Sequence, residues 1–215
     1  MKKEFNAWKE GARLYAPCLI IGAVLVGAFG SRLADGLGVA LLVVGVAILL
    51  FFRDPPRESS AEENEAVAPA DGVVVAIEDM ESTPHYDGPT KRISIFLSLL
   101  DVHINRSPVA GVIRDVAYKP GEFKNAMRAE TTDCNEANTV RMDTRFGPVT
   151  VRQIAGLVAR RIVCVGEVGD ELARGEKFGM IRFGSRTELY LPAGTAVCVK
   201  LKDKVYAGQT VVARF

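Results

Sequence analysis

Two stretches near the start of the chain, "APCLIIGAVLVGAFG" (residues 16–30) and "GLGVALLVVGVAILLFF" (residues 36–52), contain no charged side chain, and only "SRLAD" separates them. Core helices of soluble proteins rarely run this long without a polar face, and each run approaches the minimum needed to cross a hydrocarbon layer roughly 30 Å thick. A transmembrane or membrane-embedded helical hairpin over residues 16–52 is the expected form. A hairpin buried in a soluble core is the alternative. A cleaved signal peptide fits less well, because the basic leader is long and a second apolar run follows at once.

The flanks orient this hairpin. Lys2, Lys3, Lys9 and Arg13 precede it and Arg53 and Arg57 follow it, whereas the connection carries Arg32 against Asp35. Basic residues mark the cytoplasmic side, so both ends are expected there, with the protein at the cell membrane and the part of the chain after the hairpin on the cytoplasmic face. Within residues 1–15, Phe5, Trp8, Ala12 and Tyr15 recur at helical spacing among basic residues, which predicts an amphipathic helix lying in the interface.

Composition narrows the function. The 27 basic and 26 acidic residues nearly cancel, so the chain has no net basic field and nucleic acid is not an expected partner. Cys18, Cys134, Cys164 and Cys198 form no CxxC and have no companion histidines, which argues against a metal site and suits a reducing compartment.

Residues 53–66, "RDPPRESSAEENEA", combine adjacent prolines with serines and acids and read as a linker. From Val67 to the end, nine short β-branched runs such as "GVVVAI", "RISIFLSL" and "RIVCVG" are broken by Gly, Pro and Asp. No long amphipathic helix intervenes, although "GEFKNAMRAE" could form one helical turn or a loop. The expected fold class is therefore mainly β, a barrel-sandwich-like domain over residues 67–215. Asp170 with Gly175 and Asp203 with Gly208 repeat at a separation of 33 residues, which points to paired hairpins in pseudo-symmetric halves.

The tetrapeptide "FGSR" occurs twice. The first copy ends the first apolar run and reads as a turn. The second lies between "KFGMIRF" and "RTELYLP", so Gly184–Ser185 falls at a sharp break between strands. Glycine leaves its carbonyl open to attack by the following side chain, which permits an N-to-O acyl shift by Ser185. A serine hydroxyl needs a base, and the chain offers two histidines. His85, in the polar loop "ESTPHYDGPTK", reads as solvated. His103 follows an apolar strand, with Asp101 two residues earlier and on the same face if the strand continues, where a carboxylate could fix the imidazole tautomer. Asp71 in "APADGVV" is a second acidic candidate, though Asp-Gly before a strand is first a turn signal.

Together "FFRDPPR", "APADGVV", "FLSLLDVHINRSPVAG", "YKPGEF", Asn135-Glu136-x-Asn138, "GLVARRIV" and "FGMIRFGSRTELYLP" occur in an order that resembles phosphatidylserine decarboxylase proenzymes, over essentially residues 53–215. The resemblance implies self-cleavage between Gly184 and Ser185 into a β chain, residues 1–184, and an α chain, residues 185–215. It implies that Ser185 becomes a covalent pyruvoyl cofactor, that His103 is the base, and that Asp71 and Asp101 assist it. The implied substrate is phosphatidylserine in a bilayer, converted to phosphatidylethanolamine, with the α and β chains remaining associated. A homo-oligomer is left open.

Two departures limit the transfer. Many relatives read Leu-Gly-Ser-Thr at the cut, whereas this chain has Phe183-Gly184-Ser185-Arg186, as in a shorter prokaryotic subgroup. Arg106 stands where many relatives carry a second histidine; it could bind the substrate's phosphate or carboxylate, or simply be solvated. The competing readings are a decarboxylase of ether-linked serine lipids and a non-catalytic membrane-tethered carrier module, with Lys200, Lys202 or Lys204 as attachment points.

Overall fold

The computed structural model describes residues 5–124, 126–127, 133–157, 161–182 and 184–215. Lys2, Lys3, Phe183, parts of "GEFKNAMRAE" (125 and 128–130) and residues 158–160 of "GLVARRIV" lie outside the described residues. The chain divides into two compact units, residues 6–55 and a larger one built from residues 56–215.

The smaller unit is a helical hairpin. Helix α1 (Ala7–Ala28) starts where the Asn6 side chain accepts the Lys9 N–H at 3.1 Å, and α2 (Arg32–Phe51) where Ser31 Oγ accepts the Ala34 N–H at 3.2 Å. Both are ordinary N-caps. The first "FGSR" is thus a turn: Gly30 takes φ +56° and Ser31 opens the second helix. The helices meet at Gly22 and Gly38, where a Cβ on either would stand 2.8 Å from the other's carbonyl oxygen. Their remaining surfaces leave Ile20, Ile21, Val24, Val39, Val43 and Leu50 exposed, and both helices are long and apolar enough to span a membrane. Apolar surface of this kind associates the chain with a membrane. Helix α1 runs unbroken through Tyr15 and Ala16, so the expected boundary between an interfacial and a spanning segment is not a break in secondary structure.

The larger unit is mainly β, as its short β-branched runs require. In chain order the strands are β1 (Glu65–Val67), β2 (Gly72–Met80), β3 (Thr90–Leu97), β4 (Ile104–Arg106), β5 (Gly111–Lys119), β6 (Ala137–Thr144) and β7 (Gly147–Ala155). They continue as β8 (Ile162–Cys164), β9 (Glu171–Leu172), β10 (Lys177–Ile181), β11 (Ser185–Pro192), β12 (Ala196–Val197), β13 (Lys204–Val205) and β14 (Val211–Arg214). An open, curled eight-stranded sheet runs β13-β2-β3-β11-β7-β6-β5-β9, and two three-stranded sheets, β4-β10-β8 and β1-β14-β12, complete the unit. Alternation places Ile93, Ile95, Val149, Val151, Leu189 and Leu191 on one face of the large sheet, where they form its core.

The repeat in the sequence is a repeat in space. Glu167 N–H donates to Asp170 Oδ2 (2.9 Å) as Lys200 N–H does to Asp203 Oδ2 (2.8 Å). Ile113 N–H reaches the Asp170 carbonyl and Val74 N–H the Asp203 carbonyl, both at 2.9 Å. The two hairpins therefore cap opposite ends of the large sheet through β5 and β2, each of which carries an irregularity just after the matching residue.

Residues 53–66 are less free than a linker implies. Arg57 bonds Asp71, Arg145 pairs with Glu63 at 2.8 Å, Arg214 with Glu65 at 2.5 Å, and β1 already begins at Glu65. Arg57, Glu63 and Glu65 are used in ion pairs with Asp71 just before β2, Arg145 in the turn between β6 and β7, and Arg214 on β14.

Candidate functional site

Gly184 and Ser185 stand at the start of β11, a central strand bonded to β3 on one side and β7 on the other. Gly184 has φ +63°, a conformation open to glycine and costly for most residues. Ser185 is fully buried, facing Leu97 and Ala155 across the sheet, and its Oγ has no hydrogen-bond partner among the described residues. A buried hydroxyl left without a partner costs free energy, a penalty that an apolar side chain of the same shape would not carry.

His103 meets the same bond. Its ring is 1% exposed, and Nε2 accepts the Gly184 N–H at 3.2 Å. Nδ1 lies 2.9 Å from the backbone carbonyl of Asp101. A carbonyl only accepts and an amide N–H only donates, so the pair of bonds requires the neutral tautomer protonated on Nδ1, with the Nε2 lone pair aimed at the Gly184 amide.

The Asp101 side chain does not share in this. Asp101 sits in the turn before β4, and its carboxylate takes the Ser98 N–H at 2.9 Å, the Ser98 hydroxyl at 2.8 Å and the Lys204 ammonium. Its main chain orients the imidazole where alternation along a continued strand put the carboxylate; the turn turns the side chain away. Burial works to raise the Asp101 pKa, but the bonds from Lys204 and Ser98 outweigh it and hold the pKa below the usual aspartate value.

Asp71 is buried and held by Arg57 Nη2 on Oδ2 (2.8 Å) and the Ala207 N–H on Oδ1 (2.7 Å). Its structural twin in the other half is Ala110, also followed by a glycine leading into a strand. The turn therefore forms without a carboxylate, which separates Asp71 from the plain turn reading. Arg106 is buried, donates to the Gly175 carbonyl at 3.0 Å, and packs beside Gly208, so it joins the two repeated hairpins. His85 is half-buried rather than solvated: its ring stands edge-on to Tyr190 at 5.9 Å, because the loop carrying it folds back on the sheet.

Gly156, which follows β7 beside Ser185's partner Ala155, is a residue that local pattern did not single out; a Cβ on it would stand 2.1 Å from the Gly184 carbonyl oxygen. The signal was present only inside the longer motif "GLVARRIV". Next to it, an apolar cavity of about 450 Å³ opens beside Gly184, lined by Phe96, Leu99, Leu100, Gly156 and Leu157 among others. Leu99, Leu100 and Leu157 are exposed at 51%, 84% and 68%, which makes the mouth itself apolar. Among the described residues no cluster of His, Cys, Asp or Glu is arranged to hold a metal ion.

The profile of the phosphatidylserine decarboxylase family matches residues 45–213, from the end of the second apolar helix almost to the C-terminus. The chain belongs to the phosphatidylserine decarboxylase family. Among its relatives, the phosphatidylserine decarboxylase proenzyme of Magnetococcus marinus is 46% identical over 218 residues, covering 100% of this chain and 97% of the relative. Those of Aromatoleum aromaticum and Nitrosomonas europaea are 41% and 47% identical, over 95% and 80% of this chain and 94% and 80% of their own length. The matched range, residues 45–213, spans Asp71, His103 and the Gly184–Ser185 bond.

Proposed function

We propose that this chain is a proenzyme that cuts itself between Gly184 and Ser185 and then decarboxylates phosphatidylserine to phosphatidylethanolamine. The observation that carries the reading is the contact of His103 Nε2 with the Gly184 N–H, 3.2 Å, beside a buried Ser185 Oγ that has no partner among the described residues. A shift of the ring's acceptor from that amide to the neighbouring hydroxyl lets His103 take the Ser185 proton. Ser185 Oγ then attacks the Gly184 carbonyl carbon, and the amide becomes an ester. Removal of the Ser185 Cα proton expels the Gly184 carboxylate. The resulting dehydroalanine takes up water, loses ammonia and leaves a pyruvoyl group at the head of β11.

The residues fit such a group: residue 185 would remain at the start of a buried central strand, with His103 and the apolar cavity beside it. The pyruvoyl group supplies an electron sink for the carbanion left by departing CO2. This chain's own part is to bind the headgroup, exclude water and hold a proton on His103 for return to the product. Asp71 acts through the charge balance it shares with Arg57, and Asp101 through its carbonyl on Nδ1.

In this reading residues 1–55 tether the catalytic unit, residues 56–215, to the bilayer that contains its substrate, with both ends of the hairpin and the catalytic unit on the cytoplasmic side. After the cut, the α chain stays with the β chain because β11 is bonded along its length to β3 and β7.

Intact-mass measurement of the purified protein tests the proposal. The expected result is two fragments, of 184 and 31 residues, the smaller one trapped by hydrazine or borohydride at its new N-terminus, and an intact, inactive chain for Ser185→Ala. A wild-type chain that stays whole while turning over lipid would overturn it.

A further inference from the structure

The strand that follows His103 and the strand that begins at Ser185 are not neighbours in any sheet. β4, which follows His103 directly, pairs with β10, whereas β11 pairs with β3 and β7. The Ile181 N–H bonds the His103 carbonyl at 3.2 Å and so ties His103 to the residues before Gly184, but no backbone ladder joins β4 to β11 itself, and side chains supply that link.

We propose that a buried chain of side-chain amides, running from Asn138 through Gln153 and Asn105 to the hydroxyl of Thr187, sets the spacing between His103 and the Gly184–Ser185 bond, which makes Asn105 and Thr187 positioning residues for self-cleavage. The inference rests on the maturation reading above. Asn138 Nδ2 donates to Gln153 Oε1 (2.9 Å), Gln153 Nε2 to Asn105 Oδ1 (2.9 Å), and Asn105 Nδ2 to Thr187 Oγ1 (3.1 Å) and the Pro69 carbonyl (3.4 Å). All four side chains are between 0% and 3% exposed.

Period-two alternation puts Asn105 on the same side as His103, and Thr187 on the same side as Ser185. Two matched rungs then join the segments: His103 to Gly184 at 3.2 Å and Asn105 to Thr187 at 3.1 Å. Gln153 faces Thr187 in register on β7 and Asn138 faces Gln153 on β6, so the second rung is braced through two strands of the large sheet. A run of four buried polar groups in an otherwise apolar core is costly unless each is satisfied, and here each amide meets the next. The cut makes the second rung more important. Gly184 then belongs to the β chain, so of the two rungs only Asn105–Thr187 still ties the His103 segment to the α chain.

The test compares Thr187→Val, which keeps the shape and removes the acceptor, with Thr187→Ser, which keeps the oxygen. Self-cleavage is followed by intact mass on folded precursor, with each substitution also melted in a Ser185→Ala background. Since a misplacement of about 1 Å can cost about 100-fold, Thr187→Val is expected to slow cleavage about 10- to 100-fold at temperatures where the precursor remains folded, and Thr187→Ser to restore most of the rate. Cleavage of Thr187→Val at the wild-type rate overturns the proposal, as does a loss that Thr187→Ser shares equally. Should Thr187→Val fail to fold, Gln153→Met breaks the same chain one link earlier and decides by the same comparison. A wild-type chain that never splits removes the maturation reading itself, an outcome distinct from either result.

Discussion

Gly156 and Gly184 approach so closely that a methyl group on the first would lie 2.1 Å from the carbonyl oxygen of the second. That oxygen belongs to the bond proposed to break, and it must move as the carbonyl carbon becomes tetrahedral. Gly156 does not have a positive φ, so alanine is allowed by its backbone and the conflict is with the scissile carbonyl alone at this distance. Gly156→Ala is expected to fold and to cleave itself about 10- to 100-fold more slowly, because the carbonyl is pushed out of line. Leu157→Ala, at an exposed neighbour, serves as the comparison. Equal cleavage rates for the two variants, read by intact mass, would show that the close approach is irrelevant to the chemistry.

The division of labour at Asp101 predicts unequal effects of two neighbouring substitutions. Removing the base by His103→Ala should slow maturation by about 10²–10⁴-fold. Asp101→Asn leaves the carbonyl that holds Nδ1 and loses mainly the Lys204 ion pair, so its loss should be under about tenfold, in line with a partly exposed pair worth about 1 kcal/mol or less. A time course of fragment appearance measures both, and a defect in Asp101→Asn as deep as that of His103→Ala would return the orienting role to the carboxylate.

Glu188 is a fully buried carboxylate set among Arg92, Arg152 and Arg186, on β3, β7 and β11. Its oxygens lie 3.1 Å from Arg186, 3.4 Å from Arg152 and 3.7 Å from Arg92, and take the Tyr190 hydroxyl at 2.7 Å. Glu188→Gln leaves buried guanidinium charge uncompensated and should cost about 3–5 kcal/mol, measured by urea unfolding in a Ser185→Ala background so that chain cleavage does not enter. A change within 1 kcal/mol, roughly the scatter of a surface substitution, would mean that water reaches this cluster.

His85 gives the protein an acid-side liability. Burial, with Arg152 nearby, lowers its pKa from 6.5 to about 4. Between these values the unfolded chain binds a proton that the folded chain refuses, so stability rises with pH across the interval and is lost as pH falls from about 6.5 to about 4. Unfolding midpoints of the Ser185→Ala protein at pH 7 and pH 5 should therefore differ, and His85→Gln should reduce that difference. An unchanged slope after the substitution would place the titrating group elsewhere.

Features that depend on a residue and its near neighbours were legible in the sequence. The uncharged runs produced α1 and α2, the β-branched runs produced the sheets, and the Asp-to-Gly spacing of 33 residues produced matching hairpins. Glycine followed by serine at a strand break was visible because it is a local arrangement, and His85 and His103 stood out because the chain has only two histidines.

What distant strands bring together was not legible. That His103 meets Gly184 across 81 residues, that Asp101 turns its carboxylate to Lys204, 103 positions away, and that Asn105 reaches Thr187 are results of packing three sheets against one another. The amino-acid order alone determined where the two apolar helices and the longer β-branched strands form and where glycine precedes serine at a strand break, since conformational preference and hydrophobic period act over a few residues. Only the tertiary structure decided which carbonyl, amide or carboxylate each polar side chain meets, because in a buried site every donor must find an acceptor among whatever groups the fold places within about 3 Å.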